Sequence, residues 1–207
     1  TLLSAWGWGW VRTLEKVVER NIPLVIFGTG VQPLDFHWKG MGRVTEKNKK
    51  LLKRIVEKAE LVGVRGPQSL KTLREVGCEN RIEIVGDLSL SYPVRRIKKS
   101  EGLIGINFGK TNNVLFGNSD RKVFEEVRKI CLYLKENGFE VRLFSVWIED
   151  NALQRELSKS LELKFEKFRK VDGTLNFMGK FEVVVGEKLH SIIFSSILSI
   201  PFFSLAY

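Results

Sequence analysis

Two short stretches of the chain carry residue types that bind anions and exchange protons. In the first, Arg65 follows an apolar run and stands just before Pro67. In the second, Lys188 and His190 follow the apolar run 181–185. A guanidinium can hold a carboxylate or phosphate through paired hydrogen bonds, and an imidazole titrates near neutral pH. The two stretches therefore favour chemistry on an anionic substrate, with His190 and Arg65 as the candidate catalytic residues and Lys188 as a substrate ligand.

Each stretch also has a purely structural interpretation. Arg65 can pair with a nearby carboxylate and pack along its own stem, and the residue alone gives no reason to prefer binding. The ring of His190 can hydrogen-bond a backbone carbonyl. At His190, however, Lys188 and the N-terminus of a predicted helix bring positive charge to one place, which favours an anion site.

Further polar residues are candidates for binding the substrate or its phosphate. Two serines stand near the starts of predicted helices, and an aspartate and an asparagine stand at the ends of predicted strands. They are Ser69, Ser191, Asp87 and Asn107. Asp87 has a structural alternative, because an Asp after a strand often caps the next turn. His37, in an aromatic loop, is a candidate for contact with an acceptor.

The elements that must position these residues alternate along the chain. Apolar, β-branched runs predict strands at 22–27, 61–64, 82–85, 103–108, 139–146, 161–165, 181–185 and 202–206. Apolar residues at helical spacing predict helices at 11–20, 45–59, 67–76, 119–137, 150–160, 173–179 and 190–199. This alternation is typical of an α/β fold with parallel sheets, which bind ligands at the carboxyl ends of their strands.

A change of composition near the middle of the chain predicts two halves. The stretch 91–100 is basic, contains Pro93 and lacks apolar periodicity, and a fresh strand follows it. We expect a linker at 94–101 between two Rossmann-like halves, 1–93 and 102–207. The chain opens without Met or a preceding strand and ends directly after a strand. The first half is therefore expected to be incomplete and the second to lack its closing helix.

Composition narrows the class of protein. Of the 207 residues, 43% are hydrophobic and 28% are charged, which indicates a globular chain. The most apolar window, 189–206, contains Pro201 and several serines, and we interpret it as a buried helix and strand instead of a membrane span. The two cysteines lie far apart without zinc-site spacing, which indicates a reducing, cytoplasmic setting.

The net charge of +10 favours anionic partners. We attribute most of it to a Lys- and Glu-rich, thermophile-like surface. Small anions and peripheral contact with an anionic membrane, at its inner face, are compatible with this charge. The aromatic residues are scattered, so no specific nucleic-acid binding is expected. A Walker A sequence, a complete dinucleotide fingerprint, a nucleophile elbow and metal-ligand spacing are all missing, so no metal or cofactor is expected.

Two sequence blocks around the candidate residues carry a family resemblance. The first runs Val64-Arg-Gly-Pro-Gln-Ser69 and continues to Ile84-Val-Gly-Asp87. The second runs Val185-Gly-Glu-Lys-Leu-His190-Ser and continues to Ile200-Pro-Phe-Phe. In this order and separation, the blocks resemble the polysaccharide pyruvyl transferase family. The chain departs from the family pattern at Lys188, where Arg is usual, and at Gly66, where an acidic residue is common.

The resemblance implies a fold similar to that of two-domain B-type glycosyltransferases (GT-B), with two Rossmann-like halves facing a cleft. It also implies pyruvyl transfer from phosphoenolpyruvate, as donor substrate, to hydroxyls of a cell-surface glycan sugar, forming a ketal. The first half would lie on the acceptor side and the second on the donor side. Arg65 would hold one anionic group of the donor, and Lys188 with the helix N-terminus at His190 would hold the other. Asp87 would orient the acceptor or position Arg65.

Two other classes stay open at the level of sequence. A GT-B glycosyltransferase or another sugar-nucleotide enzyme would share the two halves and the cationic edge, with Glu187 as a ribose ligand. A non-catalytic module that binds anionic glycans or nucleic acid would instead use the net charge, and its binding would depend steeply on salt.

Overall fold

The computed structural model describes residues 8–31, 45–110, 119–167 and 170–205. The chain divides into two compact units, Thr1–Leu88 and Ser89–Tyr207. Strands and helices alternate in each unit, and every described strand pairing is parallel. The predicted α/β class with parallel sheets is confirmed.

The first unit contains a three-stranded sheet of order β1-β2-β3. Its strands are β1 (Val25–Thr29), β2 (Leu61–Val64) and β3 (Glu83–Ile84), and its helices are α1 (Trp8–Glu19), α2 (Glu46–Lys58) and α3 (Pro67–Glu75). Thr45 caps α2 by accepting a hydrogen bond of 3.2 Å from the Asn48 N–H. Gly77, at φ +88°, follows α3 in the left-handed conformation that favours glycine. The apolar faces of these helices pack with β2 around Leu52 and Leu73.

Strand β1 differs from the sequence prediction in extent and in burial. The sequence placed the strand at 22–27, whereas the observed strand begins at Val25 and continues through Gly28 to Thr29. Gly28 has φ +65°, and the pairing register with β2 shifts on either side of it, so the glycine forms an irregularity within the strand. Val25 and Phe27 are exposed, so the prediction of a fully buried strand is wrong here.

The second unit is built on a five-stranded parallel sheet of order β6-β5-β4-β7-β8. Its strands are β4 (Leu103–Asn107), β5 (Glu140–Phe144), β6 (Lys164–Glu166), β7 (Val183–Gly186) and β8 (Phe202–Ser204). Its helices are α4 (Asp120–Glu136), α5 (Asn151–Leu161), α6 (Val171–Met178) and α7 (Leu189–Ile197). Within this unit, the first strand is the central one, β4. The chain then winds outward to β6 and returns to the other side of β4. This is the strand order of a Rossmann-like sheet.

Alternate residues of β4 face two separate apolar clusters. Ile104 and Ile106 pack with residues of α4 and α5, including Phe124. Leu103 packs in the other cluster with residues of α6 and α7, including Phe194. Because successive side chains of a strand point to opposite faces, helices cover both faces of this sheet.

The apolar window 189–206 forms helix α7 followed by strand β8. No helix in the described part of the chain is long and apolar enough to cross a membrane. The helix buries Ile193 and Phe194, but the strand is exposed, with Phe203 at 69%. The prediction of a buried strand is wrong at β8, because β8 pairs only with β7 at the edge of the described sheet.

The stretch predicted as a linker packs against the second unit. Tyr92 donates a hydrogen bond of 2.8 Å to Asp172, and the Ser100 N–H donates one of 2.9 Å to the Lys180 carbonyl. Ile97 lies against Gly179 so closely that a side chain at Gly179 would overlap it. These contacts explain why the division between the units falls after Leu88, ahead of the stretch 94–101.

Candidate functional site

The central strands β4 and β7 are neighbours that lead to opposite halves of the second sheet. Asn107 at the end of β4 pairs with Gly186 at the end of β7. The point between them is where the strand order reverses, and ligands of open α/β sheets bind in the crevice at the carboxyl ends of such strands. The turn after β7 carries Glu187, Lys188 and then helix α7, so the second stretch of candidate residues lies at this switch point.

Asn107 fixes the turn that carries Lys188. Its side chain is fully buried, and its Nδ2 donates a hydrogen bond of 2.9 Å to the Phe144 carbonyl. Its Oδ1 accepts from the Lys188 backbone N–H at 3.2 Å, and its backbone carbonyl accepts from the Glu187 N–H at 3.0 Å. Asn107 thus ties three strand ends together, and both polar atoms of its amide are used within the protein.

Two buried carboxylates surround the Lys188 ammonium. Its Nζ lies 3.4 Å from Glu187 Oε1 and 3.7 Å from Asp150 Oδ1, and it donates a hydrogen bond of 3.2 Å to the Lys110 carbonyl. Asp150 follows the turn after β5 and is 1% exposed, while Glu187 is 2% exposed. The sequence predicted that the positive charge of Lys188 binds an anionic donor. In the structure, these two carboxylates of the protein compensate that charge.

Burial makes both carboxylates reluctant to ionise. Loss of water raises the pKa of Asp150 to about 6, although the Lys188 charge acts in the opposite direction. Burial likewise raises the pKa of Glu187 above its ordinary value, again opposed by Lys188. In the described part of the chain, Asp150 Oδ2 and Glu187 Oε1 accept no hydrogen bond. Two carboxylates that share one ammonium thus leave part of their hydrogen-bonding capacity unused.

Gly109 lets these carboxylates approach the end of β4. The Glu187 carboxylate accepts a hydrogen bond of 2.8 Å from the Gly109 N–H, and Asp150 Oδ1 accepts one of 3.1 Å from the Lys110 N–H. A Cβ at Gly109 would overlap the Asp150 carboxyl group. The group that approaches the backbone closely after Asn107 is thus a carboxylate of the protein itself.

His190 lies in the first turn of α7, after the Lys188 turn. Its ring centroid is 6.1 Å from that of Phe194, one helical turn later. The histidine borders a cavity of about 290 Å³, and the described residues that line it all belong to the second unit. The lining residues are Ser89, Tyr92, Val146, Trp147, Val171, His190 and Phe194. Because Val146 and Trp147 follow β5, the cavity lies at the carboxyl edge of the sheet.

Ser191 completes the start of helix α7. It is fully buried, and its Oγ donates a hydrogen bond of 2.6 Å to the Lys188 carbonyl. Gly186 faces it, and a Cβ at Gly186 would overlap the Ser191 hydroxyl. The candidate phosphate ligand Ser191 therefore serves the turn that orients Lys188 and His190.

In the first unit, Arg65 and Asp87 form an ion pair. Arg65 Nη1 lies 2.9 Å from Asp87 Oδ2, and both side chains are only partly exposed. The guanidinium lies against Gly30, where a side chain would overlap it. The backbone N–H of Arg65 donates to the Thr29 carbonyl, which places the side chain at the carboxyl end of β2. Asp87 thus positions Arg65.

Ser69 connects helix α3 to the segment after β1. Its Oγ accepts a hydrogen bond of 2.9 Å from the Val31 N–H and lies 3.4 Å from the Val31 carbonyl. The hydroxyl is buried and held by backbone on both sides. Its predicted role in substrate binding stays a prediction.

The structure brings the predicted residues together in two sets. Arg65, Ser69 and Asp87 belong to the first unit. Asn107, Lys188, His190 and Ser191 converge at the switch point of the second. His37 and most of the loop 110–118 lie outside the described residues.

Asp150 and Trp147 were not predicted as site residues. Asp150 stood at the start of a predicted helix, and Trp147 stood next to the end of a predicted strand. A carboxylate at the start of a helix that follows a strand was a usable signal for Asp150, but nothing local indicated its burial. Within the described residues, no group of three or more His, Cys, Asp or Glu side chains could hold a metal ion.

The chain is similar in fold to several solved structures. TarM matches with a TM-score of 0.58 at 15% identity, over 95% of this chain and 39% of TarM. UDP-GlcNAc 2-epimerase from Methanocaldococcus jannaschii matches with a TM-score of 0.57 at 14% identity, over 94% and 57% of the two chains. The S. aureus MnaA–UDP co-structure matches with a TM-score of 0.55 at 13% identity, over 94% and 60%. These matches show a GT-B-like, Rossmann-like fold.

The chain spans between 39% and 60% of the length of these solved proteins. No curated protein sequence matches it. A family model, however, covers nearly the whole chain. The model described as polysaccharide pyruvyl transferase matches residues 2–207, and the chain belongs to this family.

Proposed function

We propose that the protein transfers a pyruvyl group from phosphoenolpyruvate to hydroxyls of a sugar in a cell-surface glycan and forms a ketal. Family membership supports the reaction class. One structural observation links it to particular atoms: His190 lies in the first turn of α7 at the switch point, with its ring on an open cavity. Protonation of an enol carbon needs a proton donor at a substrate-accessible position, and His190 meets that requirement.

In the proposed reaction, His190 delivers a proton to the methylene carbon of phosphoenolpyruvate. The neighbouring carbon gains cationic character, and a first sugar hydroxyl attacks it and returns its proton to His190. The bond from that carbon to the phosphate oxygen then breaks. A second hydroxyl of the sugar closes the ketal, and its proton leaves with inorganic phosphate. Binding of the phosphate is the second role open to His190.

The charges around Lys188 bear on how the donor is held. Because Glu187 and Asp150 compensate the Lys188 ammonium, we propose that Lys188 acts mainly by fixing the start of α7. The donor's anionic groups are then bound at the positive end of that helix and by His190. This differs from an Arg at the same position, whose planar fork can serve a carboxylate and the donor together.

Arg65 is the proposed anion ligand of the first unit. Asp87 accepts from one nitrogen of the guanidinium, Nη1, so other N–H donors of the group remain for a ligand. We therefore retain Arg65 as a ligand of the donor and assign Asp87 the role of holding it.

The net charge of +10 also supports the proposal that the protein works in the cytoplasm, beside the anionic inner face of the membrane.

The reaction is tested by incubating the protein with phosphoenolpyruvate and a panel of glycan fragments, and by measuring phosphate release together with the mass of the product. Transfer adds a pyruvyl ketal to the fragment and releases one phosphate per ketal. In parallel, the thermal midpoint is compared with phosphoenolpyruvate and with UDP-sugars. Stabilisation by a UDP-sugar alone, without ketal formation, contradicts the proposal and favours a sugar-nucleotide enzyme.

A further inference from the structure

We propose that the cavity beside His190 binds a sugar ring of the acceptor, and that Trp147 is the surface on which the ring stacks. This inference rests on the proposed function, because it takes His190 as the group that exchanges a proton with the substrate. It goes further by assigning the cavity to the acceptor and not to phosphoenolpyruvate, and by giving part of the acceptor site to the second unit.

The cavity lining lacks the charges that an anionic donor requires. None of the described residues that border it is Lys, Arg, Asp or Glu. Phosphoenolpyruvate carries a phosphate and a carboxylate, and such groups are costly to take out of water without cationic partners. The lining therefore disfavours the donor, apart from its edge at His190, and favours a neutral ligand.

Aromatic rings and polar groups both line the cavity. Trp147, Tyr92 and Phe194 contribute rings, while Ser89 and His190 contribute hydrogen-bonding groups. A pyranose has the matching surface, because its axial C–H bonds form an apolar face and its hydroxyls form a polar rim. The electron-rich face of an aromatic ring attracts such weakly positive C–H groups.

The exposure of Trp147 singles it out within this lining. The side chain is 51% exposed, and the adjacent Ile148 is 69% exposed. Tyr92 differs, because its hydroxyl is held by a hydrogen bond of 2.8 Å to Asp172, which fixes the ring in place. A large exposed indole at the carboxyl edge of a sheet, in the same cavity lining as a fixed tyrosine, is typical of a binding surface.

The cavity is large enough to admit a single sugar ring, since its volume is about 290 Å³. A sugar in this cavity would bring its hydroxyls to the ring of His190, where the proposed reaction needs them.

Sugar binding is measured without donor by saturation-transfer NMR, using methyl glycosides of glucose, galactose, mannose and N-acetylglucosamine. The variants are Trp147→Ala, the conservative Trp147→Phe, and Tyr133→Ala, which removes an exposed aromatic ring from α4, away from the cavity. We expect at least one glycoside to bind. Its Kd should rise about tenfold in Trp147→Ala and change less than about twofold in Trp147→Phe and Tyr133→Ala.

The outcomes separate this inference from the proposed function. Glycoside binding that depends on Trp147, in a protein without pyruvyl transfer, supports the sugar site and contradicts the reaction. Transfer whose acceptor KM is unchanged in Trp147→Ala contradicts the sugar site and leaves the reaction standing. The inference is also overturned if no glycoside binds, or if inorganic phosphate displaces the glycoside. Binding of an octyl chain that carries no sugar overturns it as well, because the cavity would then recognise apolar surface and not a sugar.

Discussion

The Glu187 carboxylate accepts a hydrogen bond of 2.8 Å from the backbone N–H of Gly109, and this contact joins the ends of the two central strands of the second sheet. It places a buried negative charge where the strand order reverses. Lys188 and Asp150 complete the cluster around it. The position that the family resemblance assigns to an anion-binding cation is therefore part of a compensated charge network, and His190, in the first turn of α7, is the group that borders a cavity.

Replacement of His190 should abolish pyruvyl transfer without unfolding the protein. As a general acid, the residue contributes about 100- to 10,000-fold to turnover, so His190→Ala and His190→Gln should both lose activity on that scale. The ring is partly exposed on the first turn of α7, so the thermal midpoint should change little. Steady-state kinetics and circular dichroism measure the two effects.

His190→Gln distinguishes the two roles open to this residue. Glutamine keeps a hydrogen-bond donor but delivers no proton at neutral pH. If His190 only binds phosphate, His190→Gln should raise the KM for phosphoenolpyruvate and largely keep kcat. If it is the acid, kcat should fall and the loss of activity at high pH should disappear from the profile. Near wild-type turnover in His190→Ala would remove the histidine from the mechanism altogether.

Asp150→Asn should stabilise the protein, and more so at pH 8 than at pH 5. The pKa of Asp150 is raised to about 6 from 3.8, so the folded state retains a proton that the unfolded chain releases. Stability from this group is fully present below the unfolded pKa and is lost as the pH rises through about 6. Above that range the ionised carboxylate costs up to about 3 kcal/mol, which the neutral amide avoids.

Urea denaturation of Asp150→Asn and of the wild type at both pH values measures this effect. The difference in unfolding free energy between the two proteins reports the contribution of Asp150. The value for either protein alone also contains the contributions of Glu187, Glu149 and Lys188, which act on the same carboxyl group. A variant that is less stable than the wild type at pH 8 would show that the ion pair with Lys188 outweighs desolvation. Glu136→Gln, at an exposed position on α4 that does not act on Asp150, serves as the control.

Gly109→Ala should destabilise the second unit by about 1–3 kcal/mol, because its Cβ would overlap the Asp150 carboxyl group. Removing that group should relieve the overlap. In an Asp150→Ala background, the cost of Gly109→Ala should therefore fall below about 1 kcal/mol. A double-mutant cycle based on urea denaturation measures the coupling. Equal costs in both backgrounds would contradict the close approach of Asp150 to Gly109.

The sequence predicted the elements of the fold because their signals are local. The helices predicted at 45–59 and 67–76 are confirmed as α2 and α3, and alternation of strands and helices indicated parallel sheets. Errors occurred where burial depends on sheet position. Strands β1 and β8 are apolar runs at the edges of the described sheets, and an apolar run alone does not reveal whether a second neighbour covers it.

Site residues could likewise be predicted where the signal is local, but not where it depends on residues distant in sequence. Placement of Lys188 and His190 after a strand could be deduced, since carboxyl ends of parallel strands are a common ligand edge. The partners of Lys188 could not, because Asp150 lies far from it in sequence and becomes buried only when β5 pairs with β4. Ser69, Asn107 and Ser191 make hydrogen bonds with backbone groups of other segments or turns. These bonds form only in the folded protein, so the sequence does not indicate them.

The Arg65–Asp87 pair should act as one unit in both stability and activity. The pair is partly exposed, so its contribution to stability should be only about 1 kcal/mol. If Asp87 acts on the donor only through Arg65, Asp87→Asn should raise the KM for phosphoenolpyruvate in the wild type and raise it little further in an Arg65→Lys background, where the fork that serves both contacts is already lost. Arg81→Lys, in an exposed pair with Glu83, is the matched control. Additive effects of the two substitutions on KM would show that Asp87 and Arg65 contact the substrates separately.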